Sequence, residues 1–362
     1  MSQRTRDQIP VSVLTGFLGS GKTTVLNHLI HQPELSRTLV IINEFGEIGL
    51  DHQLVTQSVD DVVVEMSSGC LCCTIRGDLV RTLRDAPGRF ARGGELWFDR
   101  VIIETTGLAD PAPILHTLMT DPVIAPRFRL NGVLTVVDAV NGSATLDQQK
   151  ESIKQVAVAD HLVLTKTDLI ETDALNPLQS RLRSLNPIAS QTAANHGEVD
   201  PSLVINAGPY DPASKSLDVQ TWLNDELFLH SHDHDHSHDH SHGHDDHDHA
   251  HNDVNRHDEA IRALCLTIDE PIAADAFDAW LEGLMLLRGE DILRIKGLIN
   301  IDGLSGPMVL HGVQHVLHPP AALPAWPSED LRTKIVFITR NIDNTVLRDT
   351  VKMLHNRESR PA

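Results

Sequence analysis

Eight consecutive residues restrict what this chain can fold into more than any other stretch: Gly16-Phe17-Leu18-Gly19-Ser20-Gly21-Lys22-Thr23. They fit G-x-x-x-x-G-K-[ST] at every fixed position. The apolar run Val11 to Leu14 precedes them, and Val25, Leu26, Leu29 and Ile30 follow at helical spacing. Strand, glycine turn and helix in that order make a phosphate-binding loop. The backbone curls until successive N–H groups converge on phosphate oxygens, and the helix turns the positive end of its dipole toward the same anion. Gly16, Gly19, Ser20, Gly21 and Thr24 are expected to line the phosphates of a nucleotide. Lys22 is expected to bridge the terminal phosphates, and the Thr23 hydroxyl to hold Mg2+.

The chain beyond the loop repeats the strand-then-helix arrangement. Thr38 to Ile42, Val62 to Met66, Val101 to Ile103, Val133 to Asp138 and His161 to Thr165 read as strands. Arg76 to Leu83, the stretch from Pro111 through Leu118, and Ala174 to Leu185 read as helices. The alternation predicts an α/β fold, a mainly parallel sheet covered on both faces that binds ligands beyond the carboxyl ends of its strands.

Three further motifs lie at such ends. Glu104 takes the place of the carboxylate that holds Mg2+ beside a phosphate loop, and Gly107 lets a backbone N–H approach and sense a γ-phosphate. Lys22 and Glu104 are the expected catalytic pair. Thr165-Lys166-Thr167-Asp168 is similar to the guanine-reading Asn-Lys-x-Asp, in which a carboxylate such as Asp168 accepts both N1–H and N2–H of guanine. Thr165 in place of Asn removes an amide that would brace the neighbouring loop, which weakens the expectation of strict guanine selection.

The third motif is Cys70-Leu71-Cys72-Cys73. No regular strand or helix turns that spacing toward one ion, but a tight turn after Gly69 can aim two or three sulfurs inward. A further ligand must come from elsewhere, and Glu47, in the loop from Asn43 to Asp51 after the second strand, is the candidate. Thiols at a helix N-terminus ionise more readily, which favours metal capture. Small buried residues or redox-active thiols are the plainer alternative. Cys265, alone in an apolar strand, reads as a core residue.

Charge and composition exclude several classes. Lys and Arg total 30 against 50 Asp and Glu, a formal net charge of −20, so neither nucleic acid nor an anionic membrane surface is expected as the main partner. No apolar run approaches the roughly 18 residues of a membrane span. Met1 to Pro10 is too polar for a signal-peptide core, and a cytoplasmic location is expected. At 362 residues there is room for two domains. The alternation fades after Ile205, and His230 to His251 contains eleven histidines and six aspartates. This tract reads as a disordered loop that collects or buffers metal without choosing it.

The expected division is a P-loop domain over residues 1–225, the His-rich loop over 226–258 and a smaller α+β C-terminal domain over 259–362. In the last, strands Ile261 to Ile268, Ile292 to Ile301, Met308 to His318 and Lys334 to Thr339 predict a four-stranded antiparallel sheet. Helices Ala274 to Leu287 and Asp343 to Leu354 are expected on one face, and His311, His315 and His318 at the surface.

Gly16 to Thr23, Asn43-Glu44-Phe45-Gly46-Glu47, the cysteine turn, Glu104-Thr105-Thr106-Gly107 and Thr165 to Asp168, in this order, resemble the CobW family of metal-chaperone GTPases. Arg294-Ile295-Lys296-Gly297, Gly312-Val313-Gln314 and Val336-Phe337-Ile338 extend the similarity into the C-terminal domain. The resemblance implies a SIMIBI-class P-loop GTPase that uses GTP/GDP and Mg2+, binds Zn2+ at the Cys-x-Cys-Cys turn and passes it to a client metalloprotein. Cobalt handling in cobalamin biosynthesis, with Co2+ in place of zinc, is the alternative within the family. Metal storage or sensing with incidental nucleotide turnover is the alternative outside it. Monomer and homo-oligomer both remain open.

Overall fold

The structure, a computed structural model, describes residues 8–44, 62–67, 73–205, 261–318 and 320–355. β1 (Ile9–Gly16) leads through the glycine loop into α1 (Lys22–Ile30), and β2 (Thr38–Glu44) and β3 (Val62–Ser67) follow. Next come α2 (Cys73–Arg89), a hairpin of β4 (Ala91–Arg92) and β5 (Glu95–Leu96), then β6 (Arg100–Glu104), α3 (Ala112–Thr120) and β7 (Phe128–Asp138). α4 (Gly142–Gln148), α5 (Lys150–Ala157), β8 (His161–Thr165), α6 (Thr172–Leu185), β9 (Ser190–Ala194) and the short α7 (Ser202–Ile205) complete the first unit.

Seven of these strands pair in parallel in the order β3-β2-β6-β1-β7-β8-β9. Strand pleating divides their side chains between two cores. Val11, Val13, Leu39, Ile41, Val101 and Ile103 pack with Leu79, Leu83 and Leu115 on one side, while Leu14, Val40, Ile42 and Ile102 pack with Val25, Leu26 and Leu29 of α1 on the other. A strand buried on both faces shows a continuous apolar run. Edge strand β9, Ser190-Gln191-Thr192-Ala193-Ala194, carries no such run, and the sequence does not announce it.

The second unit comprises β10 (Ile261–Ile268), α8 (Ala274–Arg288), β11 (Ile292–Ile299), β12 (Met308–Val313), β13 (Val316–Leu317), β14 (Ala321–Ala322), β15 (Thr333–Arg340) and α9 (Asn344–His355). The sheet is antiparallel, in the order β10-β15-β11-β12-β13 with β14 on β12, so it has six strands where four were expected. The expected strand Met308 to His318 is a hairpin. The chain turns back at Gln314, whose φ is 51°, and Gly312 pairs with Leu317.

α8 and α9 cover one face, placing Phe277, Trp280, Leu281 and Leu347 against Leu264, Ile295, Ile299 and Phe337. The opposite face lies on the first unit, where Leu293, Leu298, Val336 and Ile338 meet Ala157 and Ile188. Cys265 packs at the edge of this join, and burial pushes its thiol up to about 11, in keeping with a core residue.

The hairpin also overturns the surface placement of two histidines. His311 is 4% exposed, and its ring meets that of His318 edge-on at 4.6 Å between centroids. Burial, reinforced by the charge of Arg294, pushes His318 down to about 4 and His311 well below its usual value, so both are neutral near pH 7. His315 is exposed as expected, with its ring 5.0 Å from that of His116 on α3. Among the described residues, no helix is long and apolar enough to cross a membrane.

Candidate functional site

β1 stops at Gly16, where φ is 141° and an added Cβ would stand 2.3 Å from the Val136 carbonyl oxygen. No side chain fits that position, so the chain leaves the sheet there with its backbone pressed on β7. The Ser20 N–H donates to the Phe17 carbonyl at 3.2 Å, and Gly21 caps α1 in the left-handed region with φ 92°. The first turn of α1 holds no acidic residue, which leaves its positive end available to an anion. Lys22 lies across the loop and donates to the Phe17 carbonyl at 3.1 Å.

β6 neighbours β1, with Leu14 opposite Glu104. That register brings the Glu104 carboxylate, 4% exposed, to 2.9 Å from the Thr23 hydroxyl that donates to it. A hydroxyl and a carboxylate side by side are hard oxygen donors of the kind Mg2+ prefers, so the residues present fit that ion. Thr105 ties the same segment to β1 through its N–H to Leu14 O at 2.9 Å and its hydroxyl to Thr15 Oγ1 at 2.8 Å. Gly107 then meets the loop itself, for an added Cβ would fall 2.5 Å from the Leu18 nitrogen. A cavity of about 300 Å3 opens among Lys22, Thr23, Glu104, Gly107 and Lys166. A second, of about 250 Å3, lies behind the loop between Phe17, Ser20, Val137, Leu146 and Gln155.

At the end of β8, Thr165 corrects an expectation. Its buried hydroxyl donates to the Ser20 carbonyl at 2.6 Å, so Thr braces the neighbouring loop without the amide that Asn would supply. Lys166, held at φ 58°, donates to Gly19 O at 2.8 Å and pairs with Asp138 at 2.7 Å. Burial pushes the Asp138 carboxyl up. Lys166, the Asn141 side chain and the N–H groups of Asn141 and Val140 outweigh this and hold it below the usual carboxylate range. Asp168 is exposed at the same strand end, and Thr167 donates to Asn195 beyond β9 at 2.6 Å.

Asp138, Asn195 and Gln155 belong to this constellation and were missed in the sequence. Only Asp138 carried a signal, an acid ending an apolar strand with Asn141 three residues on.

For the metal motif, Glu47, Cys70 and Cys72 lie outside the described residues, as does the tract 230–251. Cys73 is the first residue of α2. β2 and β3, the strands that lead into the acidic loop and the cysteine turn, are neighbours in the sheet and end together, with Glu44 opposite Ser67. β6 lies on the other side of β2. Among the described residues no cluster of His, Cys, Asp and Glu is arranged to hold a metal ion.

A parallel sheet with a phosphate loop at its centre and an acidic strand end beside it defines a P-loop nucleotide hydrolase. Residues 10–193 match the family model described as CobW/HypB/UreG, nucleotide-binding domain, and residues 261–354 match the cobalamin synthesis protein cobW C-terminal domain. The chain belongs to this CobW family of P-loop GTPases. It is 30% identical over 330 residues to the zinc chaperone YjiA of Escherichia coli, covering 91% of this chain and 93% of that one. To the zinc-regulated GTPase metalloprotein activator 1 of Schizosaccharomyces pombe it is 29% identical over 361 residues, covering 93% and 84%. The crystal structure of Zn(II)-bound YjiA GTPase from E. coli aligns with a TM-score of 0.66 at 26% identity, covering 96% of this chain and 99% of that chain.

Proposed function

We propose that this chain is a GTP-hydrolysing zinc metallochaperone: GTP turnover at the strand-end site controls a zinc ion held by Cys70, Cys72, Cys73 and Glu47 and its delivery to a client metalloprotein. The observation that carries the reading is the strand order β3-β2-β6-β1. It sets the ends of β3, β2, β6 and β1 side by side, so a change at the γ-phosphate has a short path to the strand ends from which the proposed metal ligands follow. Relatives named as zinc chaperones favour zinc over cobalt as the cargo.

In the proposed mechanism the loop N–H groups and Lys22 would hold the phosphates, and Thr23 and Glu104 would hold Mg2+. The ion would neutralise charge on the β- and γ-phosphates. Asp168 reads the guanine edge while Thr165 and Lys166 fix the loop beneath it through Ser20 and Gly19. Gly107 presents its N–H to the γ-phosphate. Three thiolates and one carboxylate give zinc a tetrahedral donor set. The proposed boundaries are 1–225 for the GTPase domain, 226–258 for the His-rich loop and 259–362 for the C-terminal domain, on which the client docks in part.

Replacing Cys70, Cys72 and Cys73 together by Ser in protein lacking 230–251 tests the assignment. The tight zinc site is expected to vanish while GTP binding persists. A tight site that survives the triple replacement would place the cargo elsewhere and overturn the reading.

A further inference from the structure

We propose that Gln155 on α5 positions the Glu104–Ala109 turn for GTP hydrolysis and, through the same helix, ties that turn to the C-terminal domain. The proposal rests on the reading of Gly107 as the γ-phosphate contact. Gln155 is 1% exposed, and its Nε2 donates to the Gly107 carbonyl at 3.2 Å and to the Ala109 carbonyl at 3.0 Å. Its own carbonyl accepts the Thr135 hydroxyl of β7 at 2.8 Å, which fixes the backbone from which the amide reaches. One residue earlier, Lys154 pairs with Asp110 at 2.8 Å. α5 therefore grips the turn at Gly107, Ala109 and Asp110. The glycine between the Leu18 backbone on one side and the Gln155 amide on the other cannot swing without breaking those bonds.

Just past Gln155, the C-terminal end of the same helix is gripped by the second domain. Pleating of β11 turns Arg294 and Lys296 toward the first domain, where Arg294 donates to Val158 O at 3.1 Å and to the Asp160 carboxylate. Lys296 reaches the same carboxylate at 3.2 Å. Asn186 holds the intervening carbonyls of Val156 at 2.7 Å and Ala159 at 2.9 Å. A guanidinium with no exposed surface does not leave those partners without a heavy desolvation penalty, so β11 follows the end of α5. Gln155 and the Val158 cap lie within one helical turn, about 5 Å apart along the axis, too short a span to absorb a displacement by bending. A shift of the turn at Gly107 is thus passed to β11 as a movement of one rigid element.

A purely structural role would have Gln155 satisfy two buried carbonyls and nothing more, and the test separates the two. In the full-length protein, Gln155→Met keeps the side-chain length and removes both donors. It should lower kcat for GTP by about tenfold with KM and GDP affinity nearly unchanged. In the unaltered protein, hydrogen exchange in residues 292–299 should differ between the GDP state and a non-hydrolysable GTP analogue, and in Gln155→Met that difference should disappear; no difference in the unaltered protein overturns the tie to the C-terminal domain. Gly107→Ala supplies the second arm. Normal hydrolysis in that variant overturns the γ-phosphate reading and the proposal with it. Impaired hydrolysis in Gly107→Ala beside a normal kcat and a preserved exchange difference in Gln155→Met overturns the proposal alone. Should Gln155→Met fail to fold, Lys154→Ala decides: a lower kcat supports the grip on the turn, and an unchanged kcat contradicts it.

Discussion

Thr165 shows how one hydroxyl can stand in for an amide. Because it donates to Ser20 O and not toward the base, Thr165→Val should loosen the phosphate loop and weaken GTP and ATP alike, by about 1 kcal/mol or fivefold. Asp168→Asn should act on selectivity instead, closing the GTP-over-ATP gap by about 2 kcal/mol because a charge-assisted pair with guanine is lost. Competition titrations check both; a selective loss of GTP in Thr165→Val would reverse the assignment of roles. Lys22→Ala is expected to reduce kcat by about a hundredfold or more, through loss of the charge facing the transferring phosphate. These residues are legible in the sequence because the phosphate loop and its strand-end partners are short contiguous motifs. The Ser20 brace is not, since it joins positions 145 residues apart.

The join between β11 and α5 is a buried ion cluster whose behaviour with pH is fixed by its members. Asp160→Asn removes the carboxylate facing Arg294 and Lys296 and should cost about 3 to 5 kcal/mol, read as a lower denaturant midpoint. Acid should act in two stages. Burial and Arg294 hold His318 near 4 against an ordinary 6.5, so between those values the unfolded chain takes a proton that the folded one refuses. Stability then falls as pH drops from about 6.5 to about 4, by about 3 kcal/mol. Burial pushes the Asp160 carboxyl up, but Arg294 and Lys296 outweigh it and hold the group below its ordinary 3.8; its contribution is present above that value and is lost as pH falls further. Lys296, lowered to about 8 by burial, gives a rise in stability between about 8 and 10.5, where only the unfolded chain keeps the proton. Denaturant titrations near pH 9, 7, 5 and 3 read all three slopes, and a flat profile from 7 to 5 would contradict the burial of His318. Little of this join was legible. Charged residues alternating along an apolar strand read as a solvent face, and the β12–β13 turn at Gln314 and His315 carries neither Gly nor Pro. α4 and α5 escape for a related reason: Leu146, Ile153 and Val156 are too sparse among polar residues to form a stripe.

For the molecule as a whole, the parallel sheet was legible because each strand buried on both faces is an apolar run, and the C-terminal sheet was legible in class though not in strand number. The proposed coupling draws on three parts: the phosphate loop at the centre of one sheet, the ends of β2 and β3 from which the proposed metal ligands follow, and a second domain joined to the C-terminal end of α5. Removing residues 230–251 should lower the number of zinc ions bound while one tight site remains, as equilibrium dialysis would report; loss of the tight site with the tract would move the cargo onto imidazoles. The central claim is that GTP and zinc bind with mutual influence. By linkage, any factor by which GTP changes zinc affinity is the factor by which zinc changes GTP affinity, and a useful switch needs about 1 to 3 kcal/mol, or roughly five- to 150-fold. The direct measurement is zinc affinity of the protein lacking the tract, once with GDP and once with a non-hydrolysable GTP analogue. The account predicts affinities that differ by at least about fivefold, with the reciprocal change in nucleotide affinity; equal zinc affinities in the two states would contradict it.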